Sequence, residues 1–208
     1  MASKGPRNPN PPKDFHDRKI RVSRITDTEV YRVSGRGKSG CLFYSRTGRY
    51  RFDFEDASFG VCYFGSTKRS AILETLGRYL VRSISIPEEE LENLTLYRLA
   101  ISKATLCPMH GSDLSQMGGT GQVTSGSYTV SRRWAQAIMT HPSTFSGIEY
   151  TGRICQELCY ALFGKGKKPF LHEKNLKPQP IGRLIDLDET WIELDNHRCG
   201  VKRKAKKN

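Results

Sequence analysis

Apolar residues recur at helical spacing after residue 67. Ile72, Leu73, Leu76, Tyr79 and Leu80 form one stripe, and Ser66 or Thr67 stands where a cap belongs, which predicts a helix running to about Val81. A second helix is predicted within 128–139, with Trp134, Ala135, Ala137 and Ile138 on its apolar side. Residues 49–54 alternate strictly, Tyr50, Phe52 and Phe54 facing one way and Arg49, Arg51 and Asp53 the other, which predicts a strand. Further strands are predicted at 61–65, 94–102, 147–150, 158–163 and 181–187 from short β-rich apolar runs. Helices and strands are mixed without a regular βαβ rhythm. The expected class is therefore α+β, with a largely antiparallel sheet rather than a doubly wound one.

The pattern fades in three places. Residues 1–18 hold four prolines and mixed charges and are expected to form a flexible arm. Residues 164–182 are irregular and basic, and 197–208 read as a basic tail. This leaves 19–196 as one domain, a size that suits a single core. Only 37% of the 208 residues are hydrophobic, a shortfall concentrated at the ends, around an ordinary core.

The formal net charge is +13, much of it in the tail and linkers. Solubility is the plain explanation; contact with nucleic acid through the tail is the sharper one. The sequence has no apolar run long enough to span a membrane and no signal-peptide pattern at its start, so a cytoplasmic protein is expected. Its six cysteines include no Cys-x-x-Cys and no Cys/His cluster at zinc spacing, so no metal is expected. Cys155 and Cys159 would share a face if helical, but two thiols alone do not make a site.

Four polar signals lie close together: Tyr31-Arg32-Val33, Gly48-Arg49-Tyr50-Arg51-Phe52-Asp53, Phe59-Gly60-Val61-Cys62-Tyr63 and Ala71-Ile72-Leu73-Glu74-Thr75-Leu76. Brought together, two arginine forks would hold phosphate oxygens and a tyrosine ring would pack on nicotinamide. A carboxylate beside the ribose would stabilise positive charge as a glycosidic bond breaks. Each residue has a plainer reading. Glu74 stands four residues before Arg78, the spacing of a surface ion pair. Arg32 and Arg51 fit solvated strand faces, and Tyr63 fits a core.

The order of these four elements resembles the RES domain, named for arginine, glutamate and serine. So do Gly126-Ser127-Tyr128-Thr129 with Arg132 and Trp134-Ala135, then Gly147-Ile148-Glu149-Tyr150-Thr151-Gly152-Arg153, then Ala161-Leu162-Phe163. The resemblance spans roughly 30–163. It implies an ADP-ribosyltransferase-like fold and a toxin that consumes NAD by hydrolysis or phosphorolysis, with a helix-turn-helix antitoxin as partner. Transfer of ADP-ribose to a protein or nucleic acid is the alternative, and a non-catalytic nucleotide- or nucleic-acid-binding domain a third. By position, Arg32 and Arg51 would contact NAD, Tyr63 would line the nicotinamide pocket and Glu74 would be the catalytic carboxylate, with Arg51 beside it. The family's serine falls at Gly152; the adjacent Thr151 carries a hydroxyl but in a strand would point the other way, so either a local bulge re-aims it into the nucleotide site or the hydroxyl is absent.

Overall fold

The structure is a computed structural model that describes residues 9–35, 41–165, 168–169 and 178–203. The expectations for 1–8, for most of the 164–182 segment and for 204–208 lie outside the described residues.

A 3-10 turn at Phe15–Asp17 precedes strand β1 (Ser23–Gly35), β2 (Gly60–Gly65) and helix α1 (Lys68–Leu80). Then come β3 (Ile86–Pro87), α2 (Glu88–Asn93), the long β4 (Leu94–Pro108), α3 (Gly111–Gln116), α4 (Gln122–Ser125) and α5 (Tyr128–Met139). The chain continues through β5 (Gly147–Thr151), β6 (Leu158–Lys165), β7 (Lys168–Pro169), β8 (Gln179–Arg183), α6 (Asp188–Asn196) and β9 (Val201–Lys202). The fold is α+β. All pairings of the main sheet are antiparallel except β4 with β5.

The pairings β1–β2, β2–β6, β6–β5, β5–β4 and β4–β1 run in a closed circuit. One face of β2 and β6 (Cys62, Phe64, Tyr160 and Leu162) packs with Ile25 and Val30 of β1 and Leu99 and Ile101 of β4. The opposite face, with Val61, Cys159, Ala161 and Phe163, packs on Ile72, Leu73 and Leu76 of α1 and Trp134 of α5. Strand alternation thus divides the apolar residues between two cores. The weak point of the circuit is β1–β2, which share one pair, Tyr31↔Gly65.

Helix α1 begins at a capping box: the Thr67 side chain accepts from Ser70 N, and Ser70 Oγ accepts from Thr67 N. Losing such a cap costs about 0.5–2 kcal/mol. Gly77, three residues after Glu74, lets the β5–β6 loop lie on the helix, because a Cβ there would fall 2.4 Å from Ile154 Cδ1.

Three expectations are corrected. Residues 49–54 form turns rather than a strand. Phe52 and Phe54 are buried as the alternation required, but Asp53 is buried too. Its Oδ2 accepts from Arg49 N (3.1 Å) and Tyr50 N (3.2 Å), so the carboxylate curls the backbone around itself. Second, residues 9–18 are docked: Phe15 is 1% exposed and meets Trp134 edge-on at 5.2 Å, while Trp134 Nε1 donates to Pro9 O (2.7 Å). Third, the start of the basic tail is part of the fold. Cys199 is buried, Ile86 N donates to Gly200 O (2.9 Å) and Val201 pairs with Ile86.

Candidate active site

A cavity of about 810 Å³ opens where β1 and β2 splay apart. Its walls come from β1, the 43–51 loop, β2, one side of α1, the start of α5 and the β5–β6 loop. Arg32, Arg51, Tyr63 and Glu74 all line it.

Arg32 bridges the seam. With the ladder broken after one pair, the Tyr63 carbonyl takes its hydrogen bond from Arg32 Nη1 (2.9 Å). Nη1 also donates to Cys62 Sγ (2.9 Å) and Nη2 to Phe43 O (3.1 Å). Arg32 Nε is buried with no partner among the described residues. This arginine is therefore built into the wall.

Arg51 is presented by the turn that Asp53 organises. Its Nη1 donates to Gly126 O (3.0 Å) and Ser131 Oγ (3.2 Å), and its guanidinium lies over the Tyr128 ring at 4.7 Å. Burial lowers its pKa from the ordinary arginine value. The Tyr63 hydroxyl accepts from Phe52 N (2.9 Å) and donates to Asp53 Oδ1 (3.2 Å). Burial is the main cause holding that phenol well above its usual pKa, and the nearby Asp53 charge adds to it. The hydroxyl thus steadies the Arg51 turn while the ring faces the cavity.

Glu74 does not pair with Arg78, which instead binds Glu90 (2.6 Å) and covers the Tyr79 ring. The carboxylate reaches under the β5–β6 loop, where Oε1 lies 3.5 Å from Ile154 N and 3.8 Å from Cys155 Sγ. Burial pushes this carboxyl above the ordinary value, opposed by the Ile154 N–H, the Cys155 thiol and the Arg51 charge. Six arginines line the cavity (Arg32, Arg49, Arg51, Arg78, Arg82 and Arg153) against two glutamates, Glu74 and Glu90. Such a surplus favours a multiply anionic ligand.

Thr151 does not line the cavity, which corrects its candidacy. It pairs with Leu158 in β5 and strand alternation turns it from Glu74. Gly152 is the residue that meets the carboxylate: a Cβ there would fall 2.3 Å from Cys155 Sγ, 2.7 Å from Glu74 Oε1 and 3.1 Å from Cys159 Sγ. The two thiols are not on a helix. A loop and strand β6 bring them together at 3.9 Å, with Glu74 beside them, a grouping that residue spacing did not reveal. Arg153 and Tyr128 are wall residues beyond the predicted set, although both lie in stretches that resemble the RES domain.

This geometry defines an α+β protein with a deep, arginine-rich cleft around one partly buried carboxylate. The RES domain family model matches residues 24–185, and the chain belongs to that family. Among solved structures, it is similar to a chain of the M. tuberculosis MbcT–MbcA toxin–antitoxin complex, at 10% identity and a TM-score of 0.59, covering 75% of this chain and 85% of that one. At that identity the likeness concerns the fold. No curated protein matches. Among the described residues no helix is long and apolar enough to cross a membrane.

Proposed function

We propose that this protein cleaves the nicotinamide–ribose bond of NAD and acts as the toxin of a toxin–antitoxin pair. The observation that carries the reading is the convergence of Arg32, Arg51, Tyr63 and Glu74, far apart in the chain, on one cavity of about 810 Å³. That volume falls within the usual range for sites that enclose small molecules and cofactors, roughly 300–1,000 Å³.

The arginines would neutralise the pyrophosphate. Arg51 would bind it as a fork already oriented by Ser131 and Gly126. The Tyr63 ring would pack on nicotinamide. As the bond from C1′ to the nicotinamide nitrogen breaks, its electron pair leaves with neutral nicotinamide and positive charge develops on the ribose. Glu74 would stabilise that charge. Water then adds at C1′ and loses a proton to give ADP-ribose; phosphate in its place gives the phosphorolysis product.

Incubation of the purified protein with NAD should release nicotinamide, and Glu74→Gln should lower turnover by about 10²-fold or more. A folded Glu74→Gln protein with unchanged turnover would remove Glu74 from this role. Appearance of ADP-ribose on a protein or nucleic acid would favour transfer instead, and NAD binding without cleavage would favour the non-catalytic reading. The MbcT–MbcA structure is a toxin–antitoxin complex. It supports the expectation of an antitoxin partner, tested by whether co-expression with a candidate helix-turn-helix antitoxin suppresses NAD loss.

A further inference from the structure

Glu74, Cys155 and Cys159 come from three different elements, and their donor atoms lie within 4.8 Å of one another. We infer that these three side chains form a binding site for a thiophilic divalent cation, with zinc as the representative ion.

The spacing carries the argument. With Zn–S bonds of about 2.3 Å, two thiolates on a tetrahedral zinc stand about 3.8 Å apart. Cys155 Sγ and Cys159 Sγ are 3.9 Å apart. A zinc-bound carboxylate oxygen sits about 3.6 Å from each thiolate, given Zn–O bonds of about 2.0–2.2 Å. Glu74 Oε1 lies 3.8 Å from Cys155 Sγ. A disulfide, by contrast, needs a sulfur separation of about 2.05 Å, so the thiols would have to close by nearly half their distance. Both cysteines are held firmly, at 4% and 1% exposure. Gly152 contributes by having no side chain: any Cβ would fall among these three donors. The departure from the family's serine thus opens the space that two thiols and a carboxylate surround.

Two sulfurs and one oxygen select zinc, cobalt or cadmium over magnesium or calcium. Binding would displace the two thiol protons to solvent and leave a fourth position for water. Glu74 lines the cavity, so the ion has a route in. A carboxylate bound to the metal could not stabilise a developing charge on ribose. The cation would therefore act as an inhibitor, a consequence that rests on the function proposed above, whereas the site itself does not.

Cobalt serves as the probe. The full chain, kept reduced by a phosphine that does not compete for metal, should develop a thiolate-to-cobalt charge-transfer band that saturates at one equivalent and is abolished by zinc. Cys155→Ser with Cys159→Ser should weaken binding by at least about 100-fold, more than the loss of a group that only orients a ligand. Cys199→Ser, away from the cluster, should retain the band. Should the double variant fail to fold, Glu74→Gln keeps both thiols and should still weaken cobalt binding measurably. Absence of the band in the folded wild-type chain, or an equal band in the folded double variant, overturns the site. One equivalent of zinc should also suppress NAD cleavage, reversibly with chelator. Zinc binding that leaves an active enzyme unimpaired removes Glu74 from the ligand set. A protein that never cleaves NAD but binds cobalt through these residues refutes the proposed activity and leaves the metal site standing.

Discussion

Gly152→Ser restores the side chain that the RES pattern carries, and it should harm this protein. The new Cβ would fall 2.3 Å from Cys155 Sγ, 2.7 Å from Glu74 Oε1 and 3.1 Å from Cys159 Sγ. All three are side-chain ends, so rotation relieves part of the clash. Both thiols are packed in the core, however, and the serine hydroxyl must also fit. Overpacking of this kind costs about 1–3 kcal/mol, and the lower half of that range applies because the three nearest atoms are all side-chain ends. At about 2–4 °C per kcal/mol for a chain of this size, melting should fall by roughly 2–8 °C. NAD turnover should fall as well, because Glu74 is displaced. Scanning calorimetry and nicotinamide release read the two effects. Adding Cys155→Ala removes the nearest clash, so the double variant should recover much of the lost melting temperature. A Gly152→Ser protein as stable as the wild type, and more active, would refute this packing argument and restore serine as a missing part of the site.

Three further outcomes are expected. Phe15→Ala should destabilise by about 3–5 kcal/mol, as for other buried aromatics, and deletion of residues 9–18 should lower the melting temperature likewise. Asp53→Ala should leave the Arg49 and Tyr50 amides without their acceptor at a cost of about 1–3 kcal/mol each, and should lower NAD turnover through Arg51, read by melting and kinetics together. For Glu74, burial raises the carboxyl pKa in the folded state above the ordinary 4.5. The folded chain then takes up that proton more readily than the unfolded one, so the ionised group costs stability at neutral pH and the cost vanishes below the unfolded value. Glu74→Gln should therefore melt at or above wild type at pH 7 and match it in acid. Wild-type turnover should fall as pH drops through a value above 4.5, and a Glu74→Gln protein less stable at pH 7 would contradict the sign.

Where local signals and packing agree, the sequence was readable. Helices α1 and α5, with Thr67 and Ser127 as caps, fall where the apolar stripes predict. Strands β2, β5 and β6 lie within a residue or two of expectation. Other elements defied local reading for identifiable reasons. At α6 the apolar Trp191 and Ile192 are exposed at 42% and 56% while Thr190 and Glu193 are buried beside Leu194, so apolar character does not mark its buried face. Phe15 anchors a segment whose prolines and charges look unfolded. The convergence of four signals was visible only through their order, because the closed sheet rather than any spacing brings them together. The contact of Glu74 with Cys155 crosses from α1 to a loop eighty residues later, a distance that no periodicity reports.

Closure of the sheet also dictates when the cavity exists. Arg32, Arg51, Tyr63 and Glu74 all leave the ribosome before β4 begins, yet β2 gains its full ladder only when it pairs with β6, from Gly60↔Gly164 to Gly65↔Cys159. The loop that covers Glu74 lies just before that strand. Pairings between segments so distant in sequence form late and slowly. A nascent chain that has passed Glu74 but not yet reached β6 therefore carries all four residues without the closed sheet that frames the cavity, so the site is completed only when synthesis of the domain is nearly done.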